Sequence, residues 1–415
     1  MSKIKSYHLI TTTEGCATNL LENATYRKTL ENSGLEWRQA PNDADAIIVN
    51  TCGYTSDQEE KSRTLIRDLK KNYPSKKIVV GGCLTEMGEN KLQGIHKEKT
   101  FSPGNVPQLL KLLDLEHNHT EEANFFDKND FTDLTWVHKL VLWARPKFFS
   151  FEKLLNKKFQ PLHNILESSI INESYYTISV SQGCAGKCSF CSIKMAKGHV
   201  KSKPILQIMH EFQTGLSKGY KKFWLLGDDI GCYGVDINTS ISILLKEILK
   251  LNNQFELIIN YFEPYFLIEQ FDQLKTILSD ERIININFPL QSGNPQIVKR
   301  MGREYDPQEA YRKLKDIKKI NPRLVLKTNI IVGFPGETHA QFIDSVRALN
   351  VFDSIYAIKF TPREGTGAAK YKDQIHEKDK KIRLFYINLF ILFRHTIVAL
   401  NSFIYRKNKL SKVFS

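Results

Sequence analysis

This chain has no apolar stretch long enough to span a bilayer, which takes about 20 apolar residues in succession. The nearest run, Leu384 to Phe393, is interrupted by Asn388 and ended by Arg394-His395, and it reads as a helix that is buried or faces an interface. A secretory leader is also missing, because the opening Met-Ser-Lys-Ile-Lys-Ser-Tyr has no apolar core. A cytoplasmic, reducing location with free thiols rather than a disulfide framework is therefore expected. Acidic residues are in deficit: 45 Asp and Glu face 59 Lys and Arg, a net charge of +14. That balance predicts attraction to something anionic, such as RNA, an acidic peptide or an acidic electron donor. The lysines are spread out, so a generally basic surface fits as well. Cysteine is scarce, seven in 415 residues, yet six of the seven form two triplets that each lack a fourth member.

One triplet is compact: Cys184, Cys188 and Cys191 in Gln182-Gly183-Cys184-Ala185-Gly186-Lys187-Cys188-Ser189-Phe190-Cys191. Three thiolates in one loop can hold three irons of a 4Fe–4S cube and leave the fourth open to chemistry, whereas four ligands close a site. Zinc sites favour paired Cys-x-x-Cys elements; here His199 is the one candidate for a fourth ligand. The other triplet, Cys16, Cys52 and Cys83, is dispersed. Cys232 stands alone in Gly231-Cys232-Tyr233-Gly234 and reads as a small buried residue.

At this length two or more domains are expected. The first 114 residues read β-α-β-α-β: strands at Tyr7–Thr11, Ala46–Val49 and Lys77–Val80, helices at Leu20–Asn32 and Ser56–Lys71. Each dispersed cysteine follows one strand. In a parallel α/β sheet the carboxyl ends of the strands share one rim, so three distant residues converge there. Residues 115–172 are a linker or insertion. Its first part is polar and includes His117-x-His119; its second part, Trp136 to Phe159, mixes aromatics with cations. That mixture suits base stacking or peptide binding, and equally an amphipathic helical hairpin packed on the barrel. From 173 to 368, six strand candidates alternate with helical stretches: Tyr175–Val180, Lys222–Leu226, Glu256–Tyr261, Ile283–Phe288, Leu324–Val332 and Tyr356–Phe360. The expected fold class is α/β: a flavodoxin-like parallel domain plus a partial (β/α)6 barrel, with its site at the strands' carboxyl ends. Residues 369–415 form a Lys-rich helical segment.

The compact triplet opening a β/α barrel resembles the radical S-adenosylmethionine (SAM) superfamily. Cys191-Ser192-Ile193-Lys194-Met195-Ala196-Lys197-Gly198-His199 resembles the segment after the cluster in its methylthiotransferases. So do Trp224 to Gly234, Pro289-Leu290-Gln291-Ser292-Gly293 with Met301-Gly302-Arg303, and Asn329 to Thr338. Gly15-Cys16-Ala17-Thr18-Asn19, Asn50-Thr51-Cys52-Gly53-Tyr54 and Gly82-Cys83-Leu84 are similar to that family's auxiliary-cluster domain. The resemblance spans about 1–114 and 173–368. Two departures bear on substrate recognition: the insertion is long, and no alternating strands of the family's C-terminal RNA-binding (TRAM) domain follow the barrel. Asn50 to Gly53 with Cys83-Leu84 looks like the branch acting on a ribosomal-protein aspartate, and Asp229 to Gly234 like the branch acting on threonylcarbamoyl-adenosine in tRNA.

The resemblance implies two 4Fe–4S clusters and two SAM molecules. Cys184, Cys188 and Cys191 would carry the cluster that cleaves SAM to a hydrogen-abstracting radical; Cys16, Cys52 and Cys83 would carry the auxiliary cluster that delivers sulfur and methyl. Phe190, Gly227, Asp228, Asp229, Gln291, Ser292 and Asn329 are the expected SAM contacts, although Asp228 and Asp229 also fit a loop cap. The expected reaction replaces an unactivated C–H with C–SCH3 on a peptide or protein side chain. One alternative is a modified adenosine in tRNA, and another, of a different class, is a non-catalytic iron–sulfur or zinc sensor of redox or metal. A one-electron reductant such as a flavodoxin or ferredoxin is the expected partner.

Overall fold

The computed structural model describes residues 4–12, 16–88, 91–116, 123, 175–391 and 393–394. His117, His119, the aromatic and basic run after Trp136, and the tail beyond Arg394 lie outside the described residues. Two parallel sheets organise the chain. The first has the order β2-β1-β3-β4, with β1 Ser6–Thr11, β2 Glu36–Trp37, β3 Ala46–Thr51 and β4 Lys77–Gly82. All its pairings are parallel. The expected strands are present with slightly longer bounds, and the two-residue β2 is an addition too short to leave a periodic signal.

Helix α1, Ala17–Asn32, has almost no amphipathic character because it is buried on two sides. Tyr26 and Leu30 face the first sheet's core, while Ala17, Leu20, Leu21 and Ala24 pack against Leu226 and Trp224 of the second sheet. α2, Ser56–Asn72, is an ordinary surface helix: Thr55 caps it by accepting from the Gln58 N–H, and Ile66 and Leu69 face inward. α3, Val106–Leu112, closes this unit, with Val106, Leu109 and Leu110 in the core that holds Phe101 and Val79.

The second sheet has the order β12-β11-β10-β9-β8-β5, entirely parallel and open between β5 and β12. β5 is Tyr175–Ser179, β8 Lys222–Leu226, β9 Glu256–Ile259, β10 Ile283–Asn287, β11 Val325–Val332 and β12 Ser354–Lys359. Alternation along the strands sets the faces. Tyr176, Ile178, Phe223 and Leu225 join the core beneath the helices, which leaves Trp224, Asn287, Asn329 and Tyr356 on the opposite, inner face. A partial (β/α)6 barrel with a polar interior results. A two-stranded antiparallel ribbon, β6 Ser181–Gln182 with β7 Lys201–Ser202, stands at its mouth. Residues 377–391 are helical, and Ile387 covers Ile330, Val332 and Phe342 on the sheet's outer side, so the Leu384 run is a packing helix. No helix among the described residues is long and apolar enough to cross a membrane.

Candidate active site

Each dispersed cysteine stands at a carboxyl strand end. Cys16 is the N-cap of α1, Cys52 directly follows β3, and Cys83 directly follows β4. The last turn needs glycine: Gly82 has φ +93°, and a Cβ there would stand 2.3 Å from Asn50 Oδ1 and 2.5 Å from the Thr51 carbonyl oxygen. The Cys52 N–H donates to Thr12 Oγ1 at 3.0 Å, and the Ser62 hydroxyl donates to the Cys52 carbonyl at 2.9 Å. Burial pushes the Cys16 thiol up to about 12 and the Cys83 thiol well above its usual value; each of the two feels Cys52 and the other feels Cys16 as well. Thiols so placed stay protonated unless a metal or cluster binds them.

The compact triplet sits on a loop thrown out between β6 and β7. Gly183, φ +78°, starts the excursion, and a Cβ there would lie 2.3 Å from the His199 carbonyl oxygen. Gly186 lets two sulfurs approach one another: its Cβ would be 3.2 Å from Cys184 Sγ and 3.8 Å from Cys188 Sγ. α4, Ile193–Lys197, carries the chain back toward β7. The loop is fastened from below, with the Ser189 N–H donating to the Met301 carbonyl and the Ala368 N–H to the Ser189 carbonyl, both at 2.8 Å. Gly302, φ +72°, is where the loop touches this support, since a Cβ would meet the Lys187 carbonyl oxygen at 2.6 Å.

Beneath the loop lies a buried polar group that sequence reasoning only partly found. Asp229 Oδ1 accepts from the Gly231 and Glu263 N–H groups at 2.9 and 3.0 Å, so the loop-cap role is real. Its Oδ2 is 3.8 Å from Cys184 Sγ. Asp228 instead accepts from the Gly183 N–H at 2.8 Å and pairs with Lys197 at 3.4 Å. Arg303 pairs with Glu263 at 2.7 Å, donates to the Pro289 carbonyl, and lies over the Phe190 ring. Phe190 packs edge-on to Phe334. Gln291, in the left-handed region at φ 63°, bridges to Ile330, which turns its side chain inward beside Asn329. Gln291 Oε1, Asn329 Oδ1 and Arg303 Nε are buried without a partner. Ser292 does not join this group: its hydroxyl meets Ser345 Oγ, on the helix His339–Ala348, at 3.0 Å and accepts from the Asn294 N–H in the following turn. Gly227 is a close-approach glycine, its Cβ position lying 2.9 Å from Ser181 Oγ.

Glu263 gave no sequence signal, Tyr261 and Tyr356 appeared only as the end and the start of strands, Arg303 and Tyr54 appeared only within motifs, and Cys232 read only as a small buried residue. Cys232 is fully buried, and its thiol shares a space of 4.8 Å with Cys184 Sγ and the Asp229 carboxylate. Its Gly-Cys-Tyr-Gly context offered no local signal for that. Tyr54, Tyr261 and Tyr356 are electrostatic neighbours of one another. Burial and then Tyr356 raise the Tyr54 phenol, followed by Cys191, Cys16 and Cys52, so one side chain senses both cysteine sets. Tyr54 and Tyr356 are 41% and 57% exposed.

Comparison with known proteins agrees with this architecture. Residues 178–349 match the radical SAM superfamily and residues 8–102 match Uncharacterized protein family UPF0004. The chain resembles the fold of a radical S-adenosylmethionine methyltransferase, TsrM, from Kitasatospora setae, with TM-score 0.56 at 13% identity, covering 88% of this chain and 75% of that one. It is 30% identical over 379 residues to the ribosomal protein uS12 methylthiotransferase RimO of Carboxydothermus hydrogenoformans, covering 89% of this chain and 78% of the relative. It is 28% identical to a probable threonylcarbamoyladenosine tRNA methylthiotransferase of Pyrococcus horikoshii, covering 86% and 78%. It is also 28% identical to a tRNA-2-methylthio-N(6)-dimethylallyladenosine synthase of Fervidobacterium nodosum, covering 90% and 81%. Sheet and cysteine loop together define a radical SAM enzyme. More narrowly, the chain belongs to the radical SAM methylthiotransferase family. The sensor alternative is thereby corrected: members of this family are enzymes.

Membership implies a 4Fe–4S cluster and SAM. The residues fit such groups. Three thiols share a loop whose Gly186 keeps side chains out from between two of them, and three orphaned polar atoms beneath it want a polar ligand.

Proposed function

We propose that this chain replaces a C–H bond with C–SCH3, using a 4Fe–4S cluster held by Cys184, Cys188 and Cys191 and a second held by Cys16, Cys52 and Cys83. The observation that carries the reading is that the two three-cysteine sets lie side by side: the Cys83–Glu86 turn packs on α4, which begins two residues after Cys191. When bound, the clusters supply the electron for reductive SAM cleavage and the site from which sulfur and methyl are delivered. The chain's own residues do the rest. Asp229 orders the Gly231 and Glu263 backbone, and Arg303 neutralises Glu263 beneath the cysteine loop. The free carbonyl oxygens of Gln291 and Asn329 accept from hydroxyl or amino groups of SAM. Phe190, Gly227 and Asp228 shape the wall: Phe190 through its packing on Phe334, Gly227 by close approach, and Asp228 by pinning Gly183. Tyr54, Tyr261 and Tyr356 line the space for the substrate. The working boundaries are 1–114 for the auxiliary-cluster domain, 115–172 for the insertion, 173–368 for the barrel and 369–415 for the C-terminal segment.

For substrate we take a peptide or protein side chain, supported by the 30% identity to a relative named for a ribosomal protein. A tRNA adenosine is the second reading, supported by the net charge of +14 and by the tRNA-modifying relatives. A flavodoxin or ferredoxin is the proposed reductant for either. Anaerobic reconstitution tests the chemistry: about eight irons per chain, with 5′-deoxyadenosine and S-adenosylhomocysteine both released, are expected. Cys16→Ala is expected to keep 5′-deoxyadenosine and lose methylthiolation, and Cys184→Ala to lose 5′-deoxyadenosine. Persistent reductive cleavage in Cys184→Ala would overturn the assignment. Binding to tRNA that weakens steeply with salt would favour the second substrate over the first.

A further inference from the structure

Lys197, the last residue of α4, is a buried cation that the chemistry above does not use. Its side chain is 3% exposed. Nζ lies 3.0 Å from Glu22 Oε1 on α1 and 3.4 Å from Asp228 Oδ1 after β8. These partners belong to the two different sheets' units, and Glu22 is 175 residues away in sequence. Asp228 uses its other oxygen to accept from the Gly183 N–H at 2.8 Å, one residue before Cys184. On the other side, the Cys83–Glu86 turn packs directly against α4. Burial opposes the charge on Lys197, but the Asp228 and Glu22 carboxylates hold the ammonium protonated.

Burying an ion costs several kcal/mol unless it is well paired, and an apolar contact of similar size often serves stability as well. A cation kept here among two carboxylates and two thiols therefore points to a job beyond cohesion. We propose that Lys197 is a positioning residue that ties the two cysteine sets to each other and holds a positive charge beside the N-terminal set. Through Asp228 and Gly183 it fixes where the Cys184 loop begins. Through Glu22 it fixes α1, whose first residue follows Cys16. Its charge also acts on whatever anionic group Cys16 and Cys83 bind, and net charge near an iron–sulfur cluster helps set its reduction potential. The proposal rests on the assignment of clusters to both cysteine sets.

The test compares wild type, Lys197→Met and Lys197→Arg. In the apo full-length protein, hydrogen exchange is read over Ala17–Asn32 and over residues 183–191. Lys197→Met is expected to speed exchange in both segments at least tenfold, and Lys197→Arg to restore most of the protection. In reconstituted protein carrying Cys184→Ala, Cys188→Ala and Cys191→Ala, the midpoint potential of the remaining cluster is read by spectroscopic titration. Lys197→Met is expected to lower it, and Lys197→Arg to leave it near the wild-type value. In the enzyme with both cysteine triplets intact, the ratio of methylthiolated product to 5′-deoxyadenosine is expected to fall at least tenfold in Lys197→Met. Unchanged exchange, or an unchanged potential and product ratio, would overturn the proposal. Should Lys197→Met not fold, Glu22→Gln serves as the second variant, with faster exchange in Ala17–Asn32 expected and no change counting against the proposal. Failure of the cluster assignment shows separately, as wild-type iron content that does not fall when Cys16, Cys52 and Cys83 are replaced.

Discussion

Glu263 shows how one residue at the mouth is poised by opposing forces. Burial raises its carboxyl to about 7, Arg303 at 2.7 Å pulls it down, and Asp229 pushes it up again. A raised value means that the folded chain holds this proton more tightly than the unfolded chain, whose carboxyl titrates near 4.5. The resulting stability is fully present below about pH 4.5 and is lost as pH rises through about 7. Denaturant melts of the apo protein from pH 4.5 to 8 are therefore expected to weaken with rising pH, and Glu263→Gln to remove roughly 3 kcal/mol of that fall. A slope unchanged by the substitution would remove Glu263 as its source. Cys232 teaches a second lesson at this scale. Its thiol contacts the Asp229 carbonyl at 3.1 Å and neighbours Cys184, and hydrogen bonding to Cys184 together with burial holds it protonated. A cysteine that looked merely small is thus packed against a candidate cluster ligand.

At the scale of elements, the β6–β7 ribbon is the device that presents the cysteine loop. Two residues from each strand pair, and everything from Gly183 to Val200 projects from that base. Gly183 is its weakest point for substitution. Alanine would have to adopt φ +78° and meet a backbone oxygen at 2.3 Å, which a side-chain rearrangement cannot relieve. We expect Gly183→Ala to destabilise the protein by roughly 2–3 kcal/mol and to lower retained iron, read by thermal melting and iron assay. An alanine variant with wild-type melting and iron would show that the ribbon tolerates a different entry. The α1 helix makes a related point: its residues follow no single-face pattern because two sheets bury it from opposite sides.

For the whole molecule, the contact between the two units decides whether there is one chamber or two half-sites. Arg363, after β12, pairs with Glu59 on α2 at 3.1 Å and donates to the Gly53 carbonyl, beside Cys52. Lys91 joins the same group through Glu59 at 3.0 Å and Glu364 at 3.5 Å. Arg363→Ala leaves Glu59 paired with Lys91, so a loss of only about 1–2 kcal/mol is expected, below the cost of stranding a buried charge. Exchange at Gly53 to Thr55 is expected to rise at least tenfold while the barrel's strands stay protected. Equal exchange in both proteins would mean that other contacts hold this loop.

The sequence by itself determined much of this. Apolar periodicity and strand-end turns located nine strands within a few residues, and the spacing of Cys184, Cys188 and Cys191 marked a loop at the barrel mouth. These features are local: a turn needs its glycine, and a strand needs its alternation, within about ten residues of chain. The placement of Cys16, Cys52 and Cys83 at one rim was also legible, because parallel topology forces carboxyl ends together. Only the tertiary structure decided that Ser292 turns to Ser345, that Cys232 abuts Cys184, that Gln291 adopts φ 63°, and that Glu22 and Lys197 meet. Those outcomes depend on contacts between segments separated by up to 175 residues. A charge or thiol carries no mark of its distant partner; the partner is chosen when two units close around a shared, buried space.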